Sequence, residues 1–325
     1  MTVTVFDGVK PNPTDIIVGE ALAAFHAAGC DALIGFGGGS PIDTAKAVRA
    51  LVANPDKQVY DLAGVGNIGK MGPTLVAITT TAGTAAEVTS NAVVTDTRRK
   101  VKMVLIDSAI IPELAVNDPQ LMLGLPAAIT AATGMDALTH AVEAYVSKGA
   151  HPLTDHSALE SIRIIARYLP CAVENGQDLE ARTMMCHGQF LAGMAFNSAG
   201  LGYVHSLAHQ PGATHDLPHG VCNAILLPVI CDFNRPHMPA RFATVAEAMG
   251  GKIDGLSEDE ASLLAVRLIR ELSERVRIPK GFSELGVKRE DIAGWLQPAQ
   301  DDPCTGCAPV PATLAQIEQL YLQAL

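Results

Sequence analysis

The residues with the most chemistry to offer lie in two short stretches. GMDALTHAVEAY carries Asp136 and His140, four apart, and GLGYVHSLAHQPGATHDLPHG carries His205, His209, His215 and His219. On a helix, positions four apart share a face. Asp136 and His140 can therefore point at one spot, and so can His205 and His209. A carboxylate oxygen and imidazole nitrogens that converge on one point form a site for a divalent transition metal.

A lone histidine is more often a satisfied core or surface residue than a ligand. Here five of the ten histidines gather with Asp136 in two stretches rich in apolar and small residues. AVEAYV and GLGYV predict burial, and a buried carboxylate without a partner is expensive. The spacing points to a metal site and leaves its ligand set open.

The elements that must position these residues are helical. From Leu121 onward apolar residues recur at helical spacing, in LPAAITAATGMDALTHAVEAYVS, DHSALESIRIIARYLPCAVEN, DLEARTMMCHGQFLAGMAFN and HMPARFATVAEAMG. SEDEASLLAVRLIRELSERV alternates charged and apolar residues at the same period, which predicts an outer helix with a solvated face. The first third reads differently. DIIVGEALAAFHAAG predicts a helix closed near Gly29, and DALIGF (31–36) a buried strand that runs into Gly37-Gly38-Gly39-Ser40. PIDTAKAVRALVA then predicts a helix with Pro41 near its start. Strand, glycines and helix together make an anion-binding arrangement, because backbone N–H groups and a positive helix end can face a phosphate. TLVAI, NAVVTD, KVKMVLI and ELAVND (113–118) predict strands, NAVVTD and KVKMVLI being paired across the turn from Asp96 to Lys100. TTTAGTAAE between them reads as a polar loop.

Composition bounds the rest. A chain of 325 residues favours two domains, and 48% hydrophobic with 18% charged residues is ample for a buried site. A net charge of −11 with no basic run disfavours nucleic acid. No apolar run approaches the ~20 residues of a membrane span, and MTVTVFDGVKPNPTD lacks the pattern of a signal peptide. Seven cysteines, an odd number, read as the thiols of a cytoplasmic protein. Cys304 and Cys307 of CTGC read as loop cysteines, since no second CxxC accompanies them.

GMDALTHAVEAYVS, GLGYVHSLAHQPGA and PHGVCNAILLP resemble the iron-dependent (group III) alcohol dehydrogenases, along essentially the whole chain. The resemblance implies a dehydroquinate-synthase-like architecture. An α/β, Rossmann-like nucleotide-binding domain (1–118), incomplete at its start, would precede an all-helical metal-binding domain (119–325), with the active site in the cleft between them. It implies Asp136, His140, His205 and His219 as ligands of Fe(II), with Zn(II) as the other candidate, and His209 as a proton-relay residue beside the nicotinamide. His215 matches no fixed histidine of the family and reads as a loop residue. GGGSxxDxxK is the family's phosphate loop, which carries NAD or NADP contacts onto Gly38, Gly39 and Ser40. Asp43 would order that loop or touch the cofactor; it also suits a helix first turn on its own account. Asn12 would lie near the adenosine ribose, Thr80, Thr81, Thr84 and Thr89 near the nicotinamide ribose and diphosphate, and Lys102 at a ribose hydroxyl. The implied substrates are small primary alcohols, diols or the matching aldehydes, and the implied assembly is a homo-oligomer, a dimer or larger.

Family members carry about two further strand–helix units, ~60 residues, before the point at which this sequence begins. VTVF is therefore expected to be the last strand of that segment. The CAPVP after the late cysteine also lacks an arginine usual in the family. Two rival readings follow. A catalytically impaired truncated paralogue would keep the metal site without turnover. A dehydroquinate-synthase-like lyase would need Lys and Arg beside the ligands, and AVEAYVS and HSLAHQPGA contain neither.

Overall fold

A computed structural model describes residues 2–325. Its contacts divide the chain into an α/β unit, residues up to Thr81 with Ala85–Leu121, and a helical unit, Ala82–Thr84 with Met122–Leu325.

In the α/β unit, helix α1 (Asp15–Ala27) starts where the Thr14 hydroxyl accepts the Ile17 N–H at 3.2 Å. Strand β1 (Ala32–Gly37) leads into helix α2 (Gly39–Ala53), and a short β2 (Gly64–Val65) precedes β3 (Thr74–Thr79). β1 and β3 are parallel, from Ala32 opposite Thr74 to Gly37 opposite Thr79, so α2 lies within a β–α–β crossover. β6 (Leu114–Val116) adds on the far side of β3, giving the parallel order β1-β3-β6. Of the strand expected over 113–118, only these three residues form the ladder. β4 (Asn91–Asp96) and β5 (Val101–Ile106) form the expected antiparallel pair, with Asp96 opposite Val101. Asp96 closes their turn by accepting the N–H groups of Arg98 and Arg99. β2 joins the other side of β5. Val48 and Leu51 of α2, Val18 and Phe25 of α1, and Val94, Met103 and Leu105 of the hairpin form the core of this unit.

Two expectations fail here: β1 forms but is not the buried strand expected, with Ile34 and Phe36 52% and 58% exposed, and the strand expected at the start of the chain does not form. Residues 3–6, VTVF, form no strand, and Val3 and Val5 stand 63% and 79% exposed. Their alternation suits a strand, but a strand is held by a ladder, and no neighbour pairs with them among the described residues.

In the helical unit, α3 (Ala127–Val146) is followed by α4 (Pro152–Glu174), α5 (Leu179–Ala199), α6 (Tyr203–Thr214), α7 (His219–Asn234), α8 (Pro239–Ala248) and α9 (Glu258–Arg275). The short α10 (Arg289–Ile292) and α11 (Leu296–Gln300) precede α12 (Leu314–Ala324). α3 is buried on every side from Gly134 to Val146, its polar residues Asp136, His140 and Glu143 included. It packs against α4, α5 and α7. α9 is the outer helix its pattern predicts. Ser257 and Glu260 form a capping box, Leu264, Ile269 and Leu272 face inward, and Arg267 and Glu271 pair outside at 3.7 Å. No helix of the described residues is long and apolar enough to cross a membrane.

Candidate metal centre and dinucleotide loop

Three helices of the helical unit bring the chemistry together. α3 carries Asp136, His140 and Glu143 on successive turns, α6 carries His205 and His209, and α7 opens on His219 directly after Pro218. The start of α7 approaches α3 closely. A Cβ built on Gly220 would stand 2.3 Å from the Ala132 carbonyl oxygen, so only glycine lets His219 reach Asp136.

His205 Nε2 and His219 Nε2 lie 3.9 and 3.6 Å from Asp136 Oδ1. The three atoms also share one neighbour. The Asn223 side-chain amide donates to Asp136 Oδ1 at 2.6 Å and lies 3.1 Å from each of the two Nε2 atoms, so all three face a single point. His140 stacks on the His205 ring at 4.5 Å between centroids and on Phe196 at 4.3 Å. Donor atoms of Asp136, His140 and His205 lie within 4.8 Å of one another. His140 Nδ1 is buried with no hydrogen-bond partner among the described residues.

Two further carboxylates tie down the rings of α6. His205 Nδ1 lies 2.6 Å from Glu143 Oε2, and His209 Nδ1 lies 2.8 Å from Asp302 Oδ2. Burial holds His205 well below the usual imidazole range, helped by the neighbouring His140, His219 and His209. His140 is lowered too, by burial, against the opposing pull of Asp136 and the Gly83 backbone. Both rings are therefore neutral near pH 7, the form that offers a lone pair. Burial pushes Glu143 up to about 8, against backbone bonds to Val204, Gly202 and His205. Burial also raises Asp302, but His209 and the bonds from Cys304 more than offset it and leave its carboxyl below the usual range.

Glu143, Asn223 and Asp302 are absent from the sequence reading. Only Glu143 left a signal, as a lone acid in the apolar run AVEAYV. Cys304, read as a loop cysteine, lies in a 3-10 turn where its N–H donates to Asp302 Oδ1 at 2.9 Å. Its thiol joins His209 and Asp302 in a cluster of donor atoms within 4.8 Å. Burial and Asp302 push that thiol well above its ordinary value, which keeps it protonated and inert. His215 stands apart at the end of α6, 3.3 Å from Asp291 and edge-on to Trp295.

In the α/β unit, Gly38 is the N-cap of α2, followed by Gly39 and Ser40 in its first turn. No side chain caps that end, and Asp43, which suits a first turn by sequence, falls in the second because the helix already starts at Gly39, so no acid of α2 occupies its first turn. Asp43 Oδ2 accepts the Val93 N–H at 3.1 Å, so this acid fastens α2 to β4. Lys102 Nζ donates to Asn12 Oδ1 at 2.6 Å, which brings two of the expected ribose residues together. Thr80 N–H bonds to the Gly37 carbonyl at 2.9 Å, and Thr81 flanks Gly38. Thr89 accepts from the buried Lys46 through both its carbonyl and its hydroxyl. Thr84 belongs to the segment that groups with the helical unit.

One carboxylate oxygen and imidazole nitrogens facing a common point are a donor set for a divalent transition metal. The bare start of α2 fits a phosphate group. Comparisons with known proteins place the whole chain in one family. A sequence profile described as iron-containing alcohol dehydrogenase matches residues 1–119, and one for the C-terminal part of the Fe-containing alcohol dehydrogenase family matches residues 130–325. An NAD-dependent methanol dehydrogenase of Bacillus methanolicus is 46% identical over 325 residues, covering 100% of this chain and 85% of the relative. A lactaldehyde reductase of Escherichia coli is 45% identical over 98% of this chain and 83% of the relative. The crystal structure of a 1,3-propanediol oxidoreductase superposes with a TM-score of 0.96 at 46% identity, over 99% of this chain and 84% of that one. On these matches, the chain belongs to the iron-containing alcohol dehydrogenase family.

Proposed function

We propose that this protein interconverts a small primary alcohol or diol and its aldehyde with NAD(P), as a cytoplasmic, metal-dependent enzyme that works as a homo-oligomer. The observation that carries the reading is the convergence of Asp136 Oδ1, His205 Nε2 and His219 Nε2 on one point beside His140. Asp136, His140, His205 and His219 would hold the ion, with Fe(II) favoured by the family and Zn(II) compatible with the same donors. A divalent cation bound there supplies Lewis-acid polarisation of the substrate oxygen. A nicotinamide supplies the hydride acceptor or donor.

The chain's own contribution is positioning and proton handling. Asp302 accepts from His209 Nδ1, which leaves His209 Nε2 to take the alcohol proton in oxidation and return it in reduction. Phe196 stacks against His140 and keeps the wall beside it apolar, which excludes water from the reacting groups. In the α/β unit, Gly38, Gly39 and Ser40 would take the pyrophosphate, with Asn12 and Lys102 on the ribose, Thr80, Thr81, Thr84 and Thr89 bordering the cofactor, and Asp43 ordering the loop.

The deciding experiment is anaerobic incubation of the purified protein with Fe(II), NADH and propanal, followed at the nicotinamide absorbance. Turnover that a chelator abolishes and Fe(II) restores is expected. Turnover by metal-free protein would overturn the metal assignment, and no turnover with metal bound would favour the catalytically impaired paralogue.

A further inference from the structure

His205 and His209 lie one turn apart on α6, and each has its Nδ1 against a different buried carboxylate. The Glu143 contact reaches from one helix to another. Glu143 follows His140 by three residues on α3, so the helix that offers two of the proposed ligands also holds the ring of a third. Its two oxygens have separate partners. Oε1 accepts the Val204 N–H at 2.7 Å, at the exposed-donor end of α6, and Oε2 faces His205 Nδ1 at 2.6 Å. A Cβ on Gly202 would lie 2.9 Å from Oε1, so glycine at the start of α6 makes room for this carboxylate.

We infer that Glu143 is a positioning residue for the metal centre: by accepting from His205 Nδ1–H it fixes the tautomer whose Nε2 lone pair faces Asp136. The inference rests on the metal-dependent reading above and adds a residue to it. The opposite edge of the ring agrees. His205 Nε2 lies 3.1 Å from the Asn223 amide, a donor, as an unprotonated nitrogen should. A neutral imidazole has one N–H and one acceptor, so whichever atom Nδ1 faces decides what Nε2 can bind. In its ionised form, which burial delays to about pH 8, Glu143 can only accept. A helix-capping role alone would explain Oε1 and leave Oε2 unexplained.

Glu143→Gln separates the two roles. The amide oxygen must stay on the Val204 N–H, because the amide NH2 would oppose another donor there. The NH2 group is then turned onto His205 Nδ1, which becomes an acceptor, and the ring proton moves to Nε2. The shape and the helix cap survive while the polarity of one bond is reversed. The test titrates metal-free wild type and E143Q with Co(II), whose visible absorption reports a protein-bound ion, and follows helicity and Tm alongside. A loss of about 10- to 100-fold in Co(II) affinity is expected, with a near-wild-type fold. Glu143→Asp, which keeps an acceptor, should recover part of it. Nitrogen-15 chemical shifts of the His205 ring in metal-free protein read the tautomer directly, as Nδ1–H in wild type and Nε2–H in E143Q.

Equal Co(II) affinity in wild type and folded E143Q would overturn the inference alone. So would an Nε2–H tautomer in wild type, a measurement that needs no variant to fold. Failure of the wild type itself to take up Co(II) would overturn the metal-dependent reading, and the inference with it.

Discussion

Two clusters of buried charged groups, one in each unit, do different work. Around the candidate metal centre in the helical unit, side chains hold the rings and the carboxylate that converge. Glu143 holds the His205 ring, Asp302 holds the His209 ring, and Asn223 meets Asp136, His205 and His219 at once. In the α/β unit, the buried charges Lys46 and Asp43 of α2 hold mainly backbone. Lys46 Nζ donates to the carbonyls of Thr89 and Asn91, and Asp43 accepts the Val93 N–H. The first arrangement sets lone pairs in fixed directions, which a metal centre needs. The second fixes the course of a loop and leaves backbone N–H groups at the bare start of α2, which a phosphate site needs. Substitutions in the helical unit should therefore strip chemistry from a folded protein, and those in the α/β unit should cost stability first.

The largest effect should come from the proposed ligands. His205→Ala and His219→Ala each remove an imidazole from the common point. Both are expected to lose the bound metal, and with it essentially all turnover, while the helical content stays near wild type. Metal analysis of protein purified without oxygen checks this, with close to one iron per wild-type chain as the reference. Retention of metal by His219→Ala would mean that the three converging atoms are not the donor set.

His209 should separate from its neighbour. Its Nδ1 is held by Asp302 and not by Glu143, and its proposed task is proton transfer. His209→Ala is expected to keep the metal and lose about 10²–10⁴-fold in kcat, with KM changed far less. Asp302→Asn should follow in the same direction by a smaller factor, since it loosens the ring without removing it. Loss of metal from either variant would merge His209 into the ligand set and erase the distinction drawn along α6.

What could be read from the sequence follows the same division. Asp136 with His140, and His205 with His209, were legible because a helix turns i, i+4 spacing into a shared face. The crossover from β1 through α2 to β3 was legible because an apolar run, glycines and a helical pattern occur in order. Asp302 was not, because 93 residues separate it from His209 and no periodicity spans that interval. Asn223 was hidden inside α7, where one amide in an apolar run carries no pattern of its own. VTVF failed for the complementary reason: alternation describes a strand's faces, while pairing decides whether the strand exists, and pairing is not local.

Lys46→Met tests the α/β half of the comparison. Lys46 is fully buried and its ammonium serves two carbonyls and a hydroxyl. Its loss should destabilise the protein by about 3 kcal/mol, because Asp43 is left without its nearby cation and the carbonyls lose their donor. Metal content should not change. A pH signature goes with it. Burial lowers Lys46 from 10.5 to about 8, opposed by Asp43 and Glu87. Between about 8 and 10.5 the unfolded chain thus holds a proton at this position that the folded one has released. Stability contributed by this group rises with pH across that window. Thermal unfolding from about pH 7 to about pH 10 should show the gap between wild type and Lys46→Met widening in favour of wild type. A gap that is constant or closes would mean that Lys46 stays charged in the fold.

The smallest effect should come from His215, the histidine that shares the sequence neighbourhood of the ligands and none of their geometry. It sits at the C-terminal end of α6, where the Pro211 carbonyl accepts its N–H at 3.0 Å, and its ring pairs with Asp291 at 3.3 Å beside Trp295. Both partners of that pair are partly exposed, at 28% and 29%, so solvent screens it and its worth is at most about 1 kcal/mol. The ring also covers one edge of the buried Trp295, whose indole N–H is already satisfied by Thr214 at 3.0 Å. Removing the imidazole therefore strands no buried donor. His215→Ala should bind metal and turn over within about twofold of wild type, with a Tm lowered by a few degrees at most. The contrast with His219→Ala, four residues away, is the sharpest form of the claim that convergence, and not the density of histidines in the sequence, defines the centre. If His215→Ala lost its metal while His219→Ala kept it, the assignment of the centre to α3, α6 and the first residue of α7 would have to be abandoned.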